Sequence, residues 1–243
     1  MTNVLPDDPQ STALIAVATL TVGFLLYLYL YLSPSVTSGF KSRYGELQGN
    51  VAWVVLTKLA GFTLLGVIPA LIVVFVFQQP LEQYGAGFSW SPFMIGWMAG
   101  GSILVLIINI LHGRRAAHYG VYPLMRYEEW NTGRLLLSLV TSSLFIIGYE
   151  FMFRGFLLFA LIPVTGVWLA VAINILIYSL AHIHKGLGET IGSIPFGILL
   201  CWITLESGNL WAITVIHLTL SLSSDLIALR ANPDMRFVRH PAK

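Results

Sequence analysis

Glu150 and Arg154 stand four residues apart in the stretch GYEFMFRG, residues 148–155, inside a long apolar run. A carboxylate and a guanidinium at that spacing share one helix face. Ionisable groups within membrane spans are rare, face the protein interior and are functional candidates by default. Further along, Asn174, Tyr178 and His182 repeat the four-residue step, and so do His217, Ser221 and Asp225. Three such rows on otherwise apolar helices should face one another, since each would otherwise point unpartnered polar groups into lipid. They imply a shared polar cavity enclosed by the fourth, fifth and seventh spans.

The chemistry of that inventory is hydrolytic. Glu150 can activate water as a general base, with His182 positioning that water or sharing the proton. His217, with Ser221 one turn on, can donate hydrogen bonds to a developing oxyanion. Arg154 suits a structural or electrostatic role, because a guanidinium does not deprotonate in proteins. Each element also has a plainer reading. Glu150 and Arg154 can be an ion pair that neutralises a buried arginine, Tyr178 and His182 one hydrogen-bonded pair, and Asp225 a partner of Arg230. Lys58 can snorkel or meet a carboxylate elsewhere, and Asn109 and His112 lie near the inner end of the third span. A metal is the other chemical option: Glu150, His182 and His217 offer a carboxylate and two imidazoles, a ligand set known for zinc. No HExxH pair is present, so those ligands would have to converge from three helices, and the metal-free glutamate mechanism ranks first.

These residues must be positioned by membrane helices. The 243 residues are 56% hydrophobic and only 10% charged, against about 25% charged in soluble domains. About 20 apolar residues cross the hydrocarbon, and by that rule there are seven spans, at roughly 11–33, 52–78, 92–111, 137–162, 166–184, 189–206 and 209–229. The chain reads as an all-α polytopic bundle, one integral membrane domain over 1–243, with no internal repeat. The leader MTNVLPDDPQ has two aspartates and no Lys or Arg, so the first span reads as a retained helix and not a signal peptide. Cys201 is the single cysteine, which excludes an internal disulfide and Cys/His zinc spacing.

Positive charge alternates with the spans. Lys41 and Arg43 follow the first; Arg114, Arg115, Arg126 and Arg134 lie between the third and fourth; Lys185 precedes the sixth; Arg230, Arg236, Arg239 and Lys243 follow the seventh. The intervening connections lack Lys and Arg, as the positive-inside rule requires. The N-terminus is therefore expected outside and the C-terminus in the cytoplasm, with Trp90, Trp168 and Trp211 at outer span ends. The stretch between the third and fourth spans reads as a solvated positive loop, with a short interfacial helix as the alternative. The bilayer is the surrounding partner; nothing points to nucleic acid.

The order of motifs resembles the CPBP intramembrane proteases, also called the Abi or CAAX-protease family. Its pattern is EExxxR, then FxxxH, then HxxxN or a similar polar residue. Here the first is YEFMFR at 149–154 followed by Gly155 and Phe156, the second is YSLAH at 178–182, and the third is HLTLS at 217–221, preceded by SGNLWAITVIH. Gly197 fits the family's glycine in the intervening helix. The resemblance covers roughly 134–230. It implies that this is the protease-like core, while 1–133 is specific to no family. Two positions depart from the pattern. Tyr149 stands where the usual water-activating glutamate would be, with Glu150 matching the second glutamate, and Ser221 replaces Asn. Either Glu150 takes over as base or the chain has lost this chemistry, and the takeover requires a shifted cavity, since adjacent helix positions differ by about 100°.

The resemblance implies an intramembrane endopeptidase that hydrolyses a peptide bond of a membrane-anchored peptide or protein with glutamate-activated water. Glu150 would be the base, His182 its partner, and His217 with Ser221 the oxyanion stabiliser. Tyr149, Arg154, Tyr178, Asn174 and Asp225 would organise the site, and Glu189 would support its cytoplasmic mouth. The rival readings are a silent scaffold or immunity-type protein that keeps the fold, for which Tyr149 argues, and a proton-coupled transporter. One tension remains within the sequence. His182 falls near the inner end of its span, whereas Glu150 lies about 13 residues into its own, roughly 20 Å deep at 1.5 Å per residue.

Overall fold

The computed structural model describes residues 8–112 and 121–239. Seven helices are long and apolar enough to cross a membrane: Pro9–Leu32, Glu46–Val76, Pro92–Leu111, Thr132–Thr165, Val167–Lys185, Leu187–Ser207 and Trp211–Ala231. They coincide with the seven spans expected from hydropathy, and the chain is a multi-pass membrane protein. A short amphipathic helix, Pro34–Tyr44, links the first two spans. The only strands among the described residues are β1, Glu129–Trp130, and β2, Arg236–Phe237, which pair in parallel.

The fourth span sits at the centre. Of its most apolar window, 78% is buried inside the protein, against 22–39% for the other six. The others keep a lipid-facing surface, as Phe75 and Trp168 illustrate at 71% and 88% exposure. Trp90 is likewise exposed, whereas Trp211 stacks on Phe88 with ring centroids 5.0 Å apart. Small residues let helices close on the central one, since lipid offers apolar side chains no net drive to associate and close packing must supply it. A Cβ on Gly66 of the second span would fall 2.7 Å from Gly148 Cα. A Cβ on Gly155 would fall 2.8 Å from the Tyr84 carbonyl oxygen.

Two spans contain π-helical winding. Residues Phe151–Leu157 of the fourth form a π-helical stretch, and the second contains two more, Thr63–Val67 and Ile72–Val76, on either side of Pro69. Pro69 lacks an N–H and crowds the preceding turn, which gives the second span a reason to widen. The π-stretch in the fourth begins directly after Glu150, and such wide turns gather at functional sites.

The connection between the third and fourth spans differs from the solvated loop expected. Arg114 and Arg115 lie outside the described residues, as do the His112 side chain and Lys243. The segment from residue 121 onward is folded, and residues 121–131 contain no helix. Met125, Tyr127 and Trp130 are buried with Val51, Val54 and Leu229. Arg134 lies 4.4 Å over the Tyr127 ring and donates to the Glu129 carbonyl at 2.6 Å. Aromatics give the segment enough apolar area to pack, and its arginines cover that core instead of solvating a loop. This layer also removes the tension in depth. The fourth span is 34 residues, about 50 Å at 1.5 Å per residue, and its first turns, with Leu135, pack into the layer beyond the apolar bundle. Glu150 is thereby brought level with the end of the fifth span.

The Gly66–Gly148 crossing predicts that Gly66→Ala lowers stability by about 1–3 kcal/mol, the cost of overpacking a tight contact. Gly96, around which nothing lies within 4 Å, is the control: Gly96→Ala should stay within about 0.5 kcal/mol of wild type. Thermal unfolding in one detergent checks both. Equal midpoints for the two variants would show that the crossing is not tight.

Candidate functional site

The site is built where the fourth and seventh spans meet. Glu150 and Arg154 are both fully buried, and Arg154 Nη1 lies 3.2 Å from Oε2 and 3.4 Å from Oε1 of Glu150. His217 Nδ1 makes a short contact with Oε1 of the same carboxylate. An ionised carboxylate only accepts, so Nδ1–H donates and the neutral imidazole carries its lone pair on Nε2. The His217 side chain keeps 15% exposure while Glu150 keeps none.

Arg154 is held by a ring face as much as by hydrogen bonds. Its guanidinium carbon lies 3.9 Å from the Tyr178 ring centroid, a favourable stacking that strengthens when desolvated. Nε and Nη2 meet no hydrogen-bonding atom among the described residues; the Tyr178 π-face is what they have instead. Gly197 makes room for this stack, since a Cβ there would fall 3.1 Å from Tyr178 Cδ1 and 3.5 Å from Arg154 Nη2.

The fifth span ends at the site. His182 Nδ1 lies 2.8 Å from the Tyr178 carbonyl oxygen, which can only accept, so Nδ1–H donates and Nε2 is again the lone-pair nitrogen. Between the two imidazoles stands Tyr149. Its ring is 6.4 Å from His182 at 87° and 6.1 Å from His217 at 83°, edge to face with both. Phe196 meets His217 edge-on from the sixth span at 5.7 Å.

The structure thus unites Glu150, Arg154, Tyr149, Tyr178, His182 and His217. The partner of Glu150 differs from the one expected: His217 touches the carboxylate, and His182 is set apart across Tyr149. Residues 149 and 150 nevertheless both face the imidazoles. Among the described residues no three His, Cys, Asp or Glu side chains form a group suited to a metal; Glu150 and His217 touch, but His182 does not join them.

Other candidates have different work. Asn174 donates to the Phe153 carbonyl at 2.5 Å and accepts from Cys201 Sγ at 3.5 Å, pinning the π-stretch to the fifth and sixth spans. Ser221 is half-buried one turn beyond His217. Asp225 lies a further turn along, and Lys58 Nζ donates to Ser142 Oγ at 2.5 Å. Glu189 accepts from the Tyr122 hydroxyl at 3.1 Å and pairs with Lys185 at 3.8 Å. Burial and the Glu189 carboxylate push the Tyr122 phenol well above its ordinary value, so it stays a donor. Asn109 ties the third span to the seventh through the Leu220 carbonyl and Ser223. A cleft of about 1170 Å³ opens at the charged end beside Lys41, Arg126, Glu128 and Arg236, but none of the candidate residues line it. Sequence reasoning missed the Lys58–Ser142 bond, the Phe196 contact and the placement of Tyr149; the serine row 138 and 142 beside Lys58 was the one available signal.

The buried ion pair predicts non-additive energetics. Arg154→Met strands a buried carboxylate and should cost about 3–5 kcal/mol, whereas the neutral double variant Glu150→Gln/Arg154→Met should recover much of that loss. Unfolding midpoints of the single and double variants measure the coupling. A double variant no more stable than Arg154→Met alone would show the pair to be uncoupled.

In comparisons with known proteins, the model of the family described as type II CAAX prenyl endopeptidase Rce1-like matches residues 130–223. No curated protein and no solved structure matches the chain. The matched stretch contains Tyr149, Glu150, Arg154, Tyr178, His182, His217 and Ser221, and it supports a CAAX-type intramembrane protease at the level of the family. Across residues 130–223, the four helices that carry the site, the resemblance to the CPBP intramembrane proteases is shown.

Proposed function

We propose that this protein is an intramembrane endopeptidase of the CAAX-protease type, hydrolysing a peptide bond of a membrane-anchored peptide or protein with water activated by Glu150. The observation that carries the reading is the contact between the sealed Glu150 carboxylate and the partly exposed His217 imidazole, within the stretch that matches the family. Glu150 activates the water through His217: the carboxylate orients the imidazole and the imidazole takes the proton. With Nδ1–H on the carboxylate, Nε2 accepts a proton from water, and the carboxylate stabilises the imidazolium that forms. His182 Nε2, also a lone-pair nitrogen, holds the second O–H of that water. Arg154 balances the charge of Glu150, and Tyr178 keeps Arg154 in place.

The water attacks the scissile carbonyl carbon, and its proton passes to His217. When the tetrahedral intermediate collapses, the carbon–nitrogen bond breaks and His217 returns that proton to the leaving amine. In this proposal the end bearing Lys41, Arg126 and Lys185 faces the cytoplasm, as the alternation of positive charge supports, and the substrate enters past His182.

Peptidase activity in liposomes against membrane-anchored peptides is the test. Wild type is expected to cleave, and Glu150→Gln and His217→Ala to fall by about 10²–10⁴-fold when assayed below their unfolding midpoints, that of Glu150→Gln being lowered because Arg154 loses its partner. His182→Ala should lose activity with less effect on substrate affinity. Cleavage that persists in both Glu150→Gln and His217→Ala would remove this mechanism.

A further inference from the structure

A peptide-bond hydrolase must supply a hydrogen-bond donor where the carbonyl oxygen becomes negative. Resting on the protease reading, the tautomers narrow the choice. His182 donates through Nδ1 to the Tyr178 carbonyl and His217 through Nδ1 to Glu150, so both Nε2 atoms are acceptors while water is being activated. Arg154 cannot serve, because it is fully buried behind the carboxylate and against the Tyr178 ring. Asn174 is committed to the Phe153 carbonyl and to Cys201. Three hydroxyls remain, Tyr149, Tyr178 and Ser221, and of these Tyr178 is 1% exposed and lies under the stacked Arg154 guanidinium.

The geometry favours Tyr149. Its ring stands edge-on to both imidazoles at nearly equal distance, 6.4 Å and 6.1 Å. Phe153 packs against that ring at 4.6 Å and Phe145 at 5.6 Å, so the ring is fixed by its neighbours. Its hydroxyl makes no hydrogen bond to any described residue, and it is not among the sealed, unpartnered polar atoms that Arg154 Nε and Nη2 exemplify. The O–H is therefore uncommitted among the described residues, on a buried ring that stands between the two histidines. Ser221 is likewise uncommitted among the described residues, but it lies a full turn from His217 along the helix, whereas the Tyr149 ring contacts both imidazoles.

We infer that Tyr149 is a catalytic residue of this chain: its phenol O–H donates a hydrogen bond to the carbonyl oxygen of the scissile peptide. As the bond from water oxygen to carbonyl carbon forms, the carbonyl π-pair moves onto oxygen and the Tyr149 donor stabilises it. The phenol keeps its proton throughout. When the carbon–nitrogen bond breaks, the carbonyl re-forms and the hydrogen bond relaxes.

The test compares Tyr149→Phe, which deletes only the hydroxyl, with Ser221→Ala and wild type, using a membrane-anchored peptide in liposomes. Tyr149→Phe is expected to lower kcat by about 10²-fold, with KM within about twofold and the unfolding midpoint kept, and to lower it more than Ser221→Ala does. A trifluoromethyl ketone analogue of the same peptide, whose hydrate mimics the tetrahedral intermediate, should bind Tyr149→Phe at least about tenfold more weakly than wild type, with affinity for the parent peptide unchanged. Should the variant fail to fold, fluorotyrosine incorporated at 149 keeps the ring and alters the acidity of the donor, and kcat should shift with KM constant. A Tyr149→Phe that retains wild-type kcat while His217→Ala is inactive overturns the role of Tyr149 and leaves the protease standing. A wild type that neither cleaves the peptides nor binds the analogue overturns the protease reading, and this inference with it.

Discussion

The charge on Glu150 governs the design of the whole bundle. A carboxylate with no exposure to solvent is costly in a low-dielectric interior unless it is paired and hydrogen-bonded. Glu150 is met by Arg154 on its own helix and His217 on another. Arg154 must then be accommodated in turn, and it is, by the Tyr178 ring and by the space that Gly197 leaves. The central position of the fourth span, the π-stretch beginning at Phe151 and the close approaches at Gly148 and Gly155 all serve to bring enough neighbours to this one helix. Removing any of these would return a charge to an environment unable to hold it.

The same pairing divides labour between neighbouring side chains. The carboxylate of the group is shut away from solvent, and the group that meets solvent is an imidazole whose orientation the carboxylate dictates. A carbonyl oxygen performs the corresponding service for His182. Two imidazoles oriented by different anchors, with a phenol between them, make a site whose hydrogen-bonding polarity is set by backbone and buried charge. Orienting partners of this kind normally decide which ring nitrogen is available.

Much of this is legible in the chain. The seven spans follow from apolar run length, and the rows at 150 and 154, at 174, 178 and 182, and at 217, 221 and 225 converge because the alternative would strand polar groups in lipid. What spacing cannot fix is the relative depth and rotation of the helices. Glu150 therefore meets His217 and not His182, and the extra length of the fourth span, absorbed by the layer around Trp130, is invisible to hydropathy. The π-stretch has no sequence signature, although it shapes the faces the fourth span presents. Lys58 is ambiguous because its partner, Ser142, is an ordinary small residue in a helix. The folded segment after residue 121 reads as solvated because its arginines are plain in the sequence, while the packing of Met125, Tyr127 and Trp130 depends on contacts far along the chain.

Beyond Arg154 the fourth span is closed. Phe156 stacks on Phe77 at 5.7 Å, Tyr84 lies against both, and the segment after Phe77 is tied down by the Leu210 N–H to the Gly85 carbonyl and by Asn209 to the Gly87 carbonyl. On the opposite side, His182 and His217 keep partial exposure. The polar group is thus a blind alley with one mouth. On the proposed reading, water and cleaved fragments would share the side on which the two imidazoles keep exposure, and turnover would be coupled to clearance of that side.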